Sequence, residues 1–224
     1  MARLVVLVLA LVHLAFGLVT LQRRAPPAFF DPRPNGGSML DRLVNGFGEP
    51  LNVIISALSS PSVLTDDGIL NYARSIGFST ECLGIHLGDA QAANLGDGNG
   101  WVNQTVELRQ DFNDPLLGTC LESLIGGNHF RVFRQNGALA NSGALFLAVS
   151  FEENVTKGHT TSANGYDLGR DAFVNLALQG SSFGGVTYKT TAQNFTDLLA
   201  PGSDGIDDGI ATDGRIVLLT VTII

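Results

Sequence analysis

His129 and Arg131 stand at alternate positions of segment 129–134 (HFRVFR), and His159, Tyr166, Asp167, Arg170 and Asp171 follow further along the chain. On a strand, positions i and i+2 share a face, so this imidazole and guanidinium would point the same way and could bind an anionic oxygen by charge and hydrogen bonds. A carboxylate such as Asp171 or Asp167, if it reached a histidine, would orient and charge it for acid–base work. On this reading His129, His159 and Asp171 are candidate catalytic residues, and Arg131, Arg170 and Tyr166 are candidate ligand-binding residues. The same residue types also make structural ion pairs. In a chain with few charges, each Arg could simply balance a neighbouring Asp or Glu.

Other chemistries find less in the sequence. His86, His129 and His159 lie far apart in the chain, with no H-x-x-x-H or H-E-x-x-H, so the spacing gives no zinc site. No metal and no cofactor are expected. Residues 180–184 (GSSFG) follow a helical segment rather than a strand, which is the wrong setting for a serine nucleophile elbow. Asp204, Asp207, Asp208 and Asp213 lie among glycines in an acidic loop. Counted from Asp204, the third position is Ile206 and the twelfth Arg215, which fails the calcium-loop template, so a solvated turn is expected. Trp101, after the turn-like 96–100 (GDGNG), is read as core, with sugar stacking as the alternative.

These residues need elements to hold them. Residues 51–58 (LNVIISAL) read as a buried strand. Thr65 caps a helix with Asp66 and Asp67 in its first turn. Ile69, Leu70, Ala73 and Ile76 form its apolar stripe, and Gly77 ends it. Ser38 has capping-box spacing for a short helix over 38–44. Strands are expected near 101–108, 129–134, 144–151, 186–191 and 215–224, with a short helix over 116–125. A second substantial helix over 167–179 would bury Leu168, Ala172 and Leu176 beside Phe173 and Ala177. Runs of strands with two principal helices predict an α+β fold: a mainly antiparallel sheet with both helices on one face.

The amino terminus points to export. A basic start at Arg3 leads into an apolar run over 4–21, which reads as a secretory signal peptide ending in a dibasic Arg23-Arg24 processing site of fungal flavour. A retained membrane anchor is the alternative. Residues 25–45 form a Pro-rich, mobile lead-in and 46–224 a single globular domain. Cys82 and Cys120 are expected to form a disulfide in an exported chain, with two buried thiols as the alternative. Asn103, Asn154 and Asn194 sit in N-x-T sequons, the acceptors of a secreted glycoprotein.

The chain has 224 residues, with 13 Lys+Arg against 21 Asp+Glu, for a net charge of −8. Its only lysines are Lys157 and Lys189, so there is no basic footprint for nucleic acid or an anionic membrane. Removal of residues 1–24 takes three arginines and no acid, leaving a charge of −11. The expected partner is a small-molecule or cell-surface ligand, with no nucleic acid and no membrane once the leader is gone.

Residues 48–53 (GEPLNV) with the helix ending at Gly77-Phe78, the strand 128–134 (NHFRVFR), the run 144–151, and then His159 and Arg170-Asp171 follow an order that resembles the LssY-type C-terminal domain over about 46–178. The sequons, the export segment and the acidic C-terminal extension depart from that family. The resemblance implies no established activity. In some larger proteins that domain follows a lipid-phosphate phosphatase core, whose Lys-Arg-Pro and Ser-Gly-His motifs this chain lacks. Two readings follow from the sequence as a whole. The first is a secreted, non-catalytic domain that binds a ligand or acts at a surface. The second is a small secreted hydrolase or phosphate-ester enzyme using His129, Arg131, His159 and Arg170.

Overall fold

The computed structural model describes residues 27–83 and 90–224. The leader, its dibasic site and His86 lie outside the described residues. Strands β1 (Asp41–Arg42) and β2 (Val53–Ile55) precede helix α1 (Asp66–Ser75). Strands β3 (Phe78–Thr80), β4 (Ala92–Asn94), β5 (Trp101–Asn103) and β6 (Val106–Gln110) lead to α2 (Gly118–Ile125). Strands β7 (Gly127–Arg134) and β8 (Leu145–Glu152) lead to α3 (Gly165–Leu178). Strands β9 (Ser181–Phe183), β10 (Val186–Phe195) and β11 (Ile216–Ile223) complete the order.

Eight strands form one sheet in the order β3-β6-β7-β8-β2-β11-β10-β9, and β1-β4-β5 form a smaller one. The large sheet is mixed, because β2 and β11 run parallel with Val53 opposite Val217, while β7 and β8 pair antiparallel along their full length. The fold therefore combines helix and sheet as expected, but with a mixed sheet, and with three helices rather than two among the described residues.

Strand alternation sorts side chains onto two faces. One face carries Val53, Ile55, Phe130, Val132, Leu147 and Val149 against Ile69, Tyr72 and Ala73 of α1 and Phe173 and Ala177 of α3. The other packs Ile54, Phe133, Phe146 and Ala148 under Met39, Leu51, Ala93, Leu95 and Leu198. α1 forms as its signals predict: Thr65 accepts a hydrogen bond from the Gly68 amide at 3.0 Å, Asp66 and Asp67 sit in the first turn, and Gly77 follows at φ +86°.

α3 is turned on its axis relative to the expected stripe. Leu168 and Ala172 are exposed, and Tyr166, Gly169, Arg170, Phe173 and Ala177 are buried. Gly169 explains the rotation, because a Cβ there would lie 2.5 Å from the Ser150 carbonyl carbon, so only glycine lets the helix back onto β8.

The region ahead of β2 also differs from expectation. The Ser38 side chain accepts from the Leu40 amide at 3.0 Å rather than capping a helix. The chain then enters β1, which pairs with β4 through Asp41 and Ala93. The Pro-rich segment is docked rather than free. Phe29 packs edge-on against Phe146 and Phe195, and Gln135 exchanges two 2.9 Å hydrogen bonds with the Phe30 backbone.

Cys82 and Cys120 form a disulfide that ties α2 to the end of β3. α2 turns Thr119, Glu122 and Ser123 inward and leaves Leu121, Leu124 and Ile125 exposed. Among the described residues no helix is long and apolar enough to cross a membrane.

Candidate functional site

β7 carries the centre of the site. Its alternation places His129, Arg131 and Phe133 on the second face and Phe130 and Val132 in the core, as the sequence predicts. The ladder then aligns other strands with them. Glu107 lies opposite Arg131, and Arg109 opposite His129, across β6, while Ser150 lies opposite His129 across β8. A charged face assembles on three adjacent strands without any local motif.

Arg109 is its hub. Its guanidinium meets Glu81 at 2.8 Å, Glu107 at 2.7 Å, Glu122 at 3.1 Å and Glu152 at 2.8 Å. The side chains of these carboxylates are only 5, 6, 0 and 13 % exposed, so each charge depends on a partner rather than on water. Burial works against the Arg109 charge, but Glu152, Glu107 and Glu122 outweigh it and raise its pKa. Arg131 is held by Glu49 at 2.9 Å and Glu107 at 3.4 Å. Its guanidinium therefore already carries two carboxylate contacts where the sequence allows an anionic ligand. Asp41 adds a sixth carboxylate beside Glu49, whose backbone amide donates to Asp41 Oδ1 at 2.6 Å.

The two histidines converge. His129 Nδ1 lies 3.4 Å and His159 Nε2 3.3 Å from the same oxygen, Glu152 Oε2. Arg131 donates to His129 Nε2 at 3.0 Å, which assigns the ring proton to Nδ1, facing Glu152, while the Ser150 hydroxyl lies 3.4 Å from both ring nitrogens. Burial, reinforced by Arg131 and Arg109, holds the His129 pKa well below the usual value, so the ring is neutral. His159 behaves oppositely, because Glu122 and then Glu152 raise its pKa. Burial pushes Glu152 up to about 7 against the pull of Arg109. That lies in the range of a group that exchanges protons at neutral pH.

The other candidates lie elsewhere. Arg170, fully buried on α3, bonds Asp167 at 3.0 Å, Asp171 at 2.9 Å, Asp213 at 2.6 Å and the Arg215 carbonyl at 3.0 Å. Asp171 also pairs with Arg215 at 2.5 Å. Their bonds are to one another and to the acidic loop, not to His129 or His159. Together they clamp that loop onto α3, and this occupies Asp213. Asp207 accepts from Asn45 at 2.8 Å. Tyr166 is buried, and burial with Glu49 and Asp207 raises its hydroxyl pKa. Trp101 is exposed, not core, and Arg42 stands 5.4 Å from its ring centre. Ser182, in the GSSFG segment, lies on β9 and donates to Thr187 at 3.0 Å.

Two grooves open beside the charged face. One, of about 440 Å³, is lined among the described residues by Leu43, Val44, Asn45, Ala90, Gln91 and Arg131. The other, of about 360 Å³, is lined by Thr80, Glu81, Gln104, Thr105 and Glu107, among others. No family model, no curated protein and no solved structure matches this chain.

Asp41 supplies a pH test of this charge balance. Burial, then Glu49, raises its folded pKa well above the ordinary carboxylate value. The folded state therefore keeps a proton that the unfolded state releases from about pH 4. Asp41 thus makes stability fall as pH rises between its unfolded and folded pKa values, by up to about 1.4 kcal/mol per pH unit. Asp41→Asn keeps an acceptor for the Glu49 amide and cannot ionise. Urea denaturation is expected to give similar stabilities near pH 4 and a more stable variant at pH 7.5. A variant equally destabilised at both would refute the assignment.

Proposed function

We propose that this chain is an exported domain, of LssY-type arrangement over about 46–178, that binds a small positively charged ligand without transforming it. The observation that carries this reading is the charge ratio on the second face of the sheet. Glu49, Glu81, Glu107, Glu122 and Glu152 surround two guanidiniums, Arg109 and Arg131, among the described residues. Low-dielectric walls focus such an imbalance outward. The adjoining grooves have volumes in the range of small-ligand sites, roughly 300–1,000 Å³. A phosphate ester fits this environment poorly, since both arginines are already engaged by carboxylates. Export is supported by the disulfide and by sequon asparagines at exposed positions, Asn103 and Asn194, with Asn154 half-buried.

The hydrolase reading keeps one observation in its favour: the shared contact of His129 and His159 with Glu152. A single preparation separates the two. Protein collected from the medium of a secreting host should begin near Ala25 and carry N-glycans. Calorimetry should detect binding of spermidine or arginine that weakens at least several-fold in Glu107→Gln, and no binding of inorganic phosphate. Esterase or phosphoesterase turnover that disappears in a folded His129→Ala variant would replace the binding reading with the catalytic one.

A further inference from the structure

Beside Arg109, three donor atoms come together from three segments. Glu122 projects from α2, Glu152 ends β8, and His159 lies in the turn that follows. His159 Nε2 is 3.3 Å from Glu152 Oε2 and 3.6 Å from Glu122 Oε1, and the three donors lie within 4.8 Å of one another. A tetrahedral zinc site with bonds of about 2.0–2.2 Å to nitrogen and carboxylate oxygen has donor–donor edges of about 3.3–3.6 Å. The two shorter separations match such edges before any ion is added.

A second observation concerns Glu122 itself. Its side chain is fully buried and its Oε2 accepts from Arg109. Oε1, the atom facing His159 and Glu152, has only the 3.6 Å approach of His159 and accepts no hydrogen bond of normal length. A buried carboxylate oxygen in that state is costly unless something else coordinates it. We infer that Glu122, Glu152 and His159 form a binding site for a single divalent first-row cation, zinc by its donor set. Two carboxylates and one imidazole match that cation in charge and softness.

The surroundings fit this assignment. Arg109 donates to Glu152 Oε2 at 2.8 Å, and the Nδ1 side of His129 faces the same oxygen, so the ligand carboxylate is held in one orientation. The Arg109 charge is spread over four carboxylates, which limits its repulsion of a metal. Glu152 and His159 keep 13 and 17 % of their side-chain surface exposed, so the site is reached from solvent. The sequence offers no zinc spacing because β7 and β8 separate Glu122 from Glu152 and His159, and the three meet only through the fold.

The test uses the full, disulfide-bonded secreted protein, tag-free and stripped with a chelator. Zinc titration followed by gel filtration and elemental analysis is expected to give one zinc per chain. Cobalt should give the intense visible bands of a tetrahedral site. His159→Ala, at a partly exposed turn, should fold normally and weaken zinc binding at least 10-fold. Glu122→Gln should do the same, while Asp171→Asn on α3 should leave it unchanged. Folded wild-type protein that takes up no stoichiometric zinc, or zinc retained undiminished in His159→Ala, overturns the inference. Neither result depends on the spermidine or arginine binding assigned to the grooves, so the two readings fail separately.

Discussion

Arg109→Met is expected to lose about 3–5 kcal/mol of stability at neutral pH, as buried ion pairs do when one partner is removed. For a domain of this size that lowers the melting temperature by roughly 10 °C or more. Methionine replaces much of the stem volume, so the loss is electrostatic in origin. Glu81, Glu122 and Glu152 would face one another with little solvent and without their guanidinium, and Glu107 would keep only Arg131 at 3.4 Å. The sign of the pH dependence identifies the cause. The mutual repulsion of crowded carboxylates is largest when all are ionised, so the penalty is greatest at neutral pH and shrinks as acid neutralises them. Urea denaturation at pH 7.5 and pH 5 should show a smaller deficit at the lower value. A deficit below about 1 kcal/mol, unchanged with pH, would mean that Arg109 does not neutralise the cluster.

Removing the Cys82–Cys120 bridge is the second large effect. With a sequence separation of 38, the chain-entropy relation gives a loss of about 4 kcal/mol for Cys82→Ala/Cys120→Ala. The damage should start locally. Apart from the bridge, α2 is held by the Glu122–Arg109 ion pair at 3.1 Å, by the Thr119 hydroxyl on the Thr80 carbonyl at 3.2 Å and by Gly118, whose missing side chain lets the Asp111 carbonyl close in. Hydrogen exchange in the double variant should therefore speed up across 118–125 before it changes in α3. Uniform acceleration throughout the chain would place the bridge's effect in global stability alone.

How far the sequence reveals this architecture depends on the distance over which each signal acts. α1 is legible because its cap, acidic first turn and glycine stop all lie in the short segment 65–77. The two faces of β7 are legible because strand alternation is local. The helix expected over 38–44 does not form, because Ser38 satisfies the amide of Leu40 and Asp41 finds a strand partner in β4. The stripe of α3 is misread because helical spacing ranks leucine above arginine, whereas the structure buries Arg170 among three carboxylates.

The candidate site is half visible in the chain. His129, Arg131 and His159 announce themselves by residue type, and one further pair leaves a local trace. Glu107 and Arg109 alternate on a strand, as His129 and Arg131 do, and charges at alternate strand positions mark a polar interior face when the strand lies mid-sheet. Glu49, Glu122 and Glu152 leave no such trace, since they arrive from a loop, a helix and a strand end. Asp171 and Arg170 look like members of the site through nearness in sequence, but their contacts belong to the acidic loop.

The parallel pairing of β2 with β11 has a consequence for the order of events in time. Val53, near the start of the described chain, waits for Val217, close to its end. Until β11 has left the ribosome, one edge of β2 has no backbone partner, and β10 and β9 have no route into the sheet. The local pieces, α1 and the bridged loop from β3 to α2, can organise during synthesis; the sheet closes only afterwards. Such late, long-range closure makes folding slow and leaves apolar strand edges open in the interval. In this topology the closing of the large sheet waits on β11.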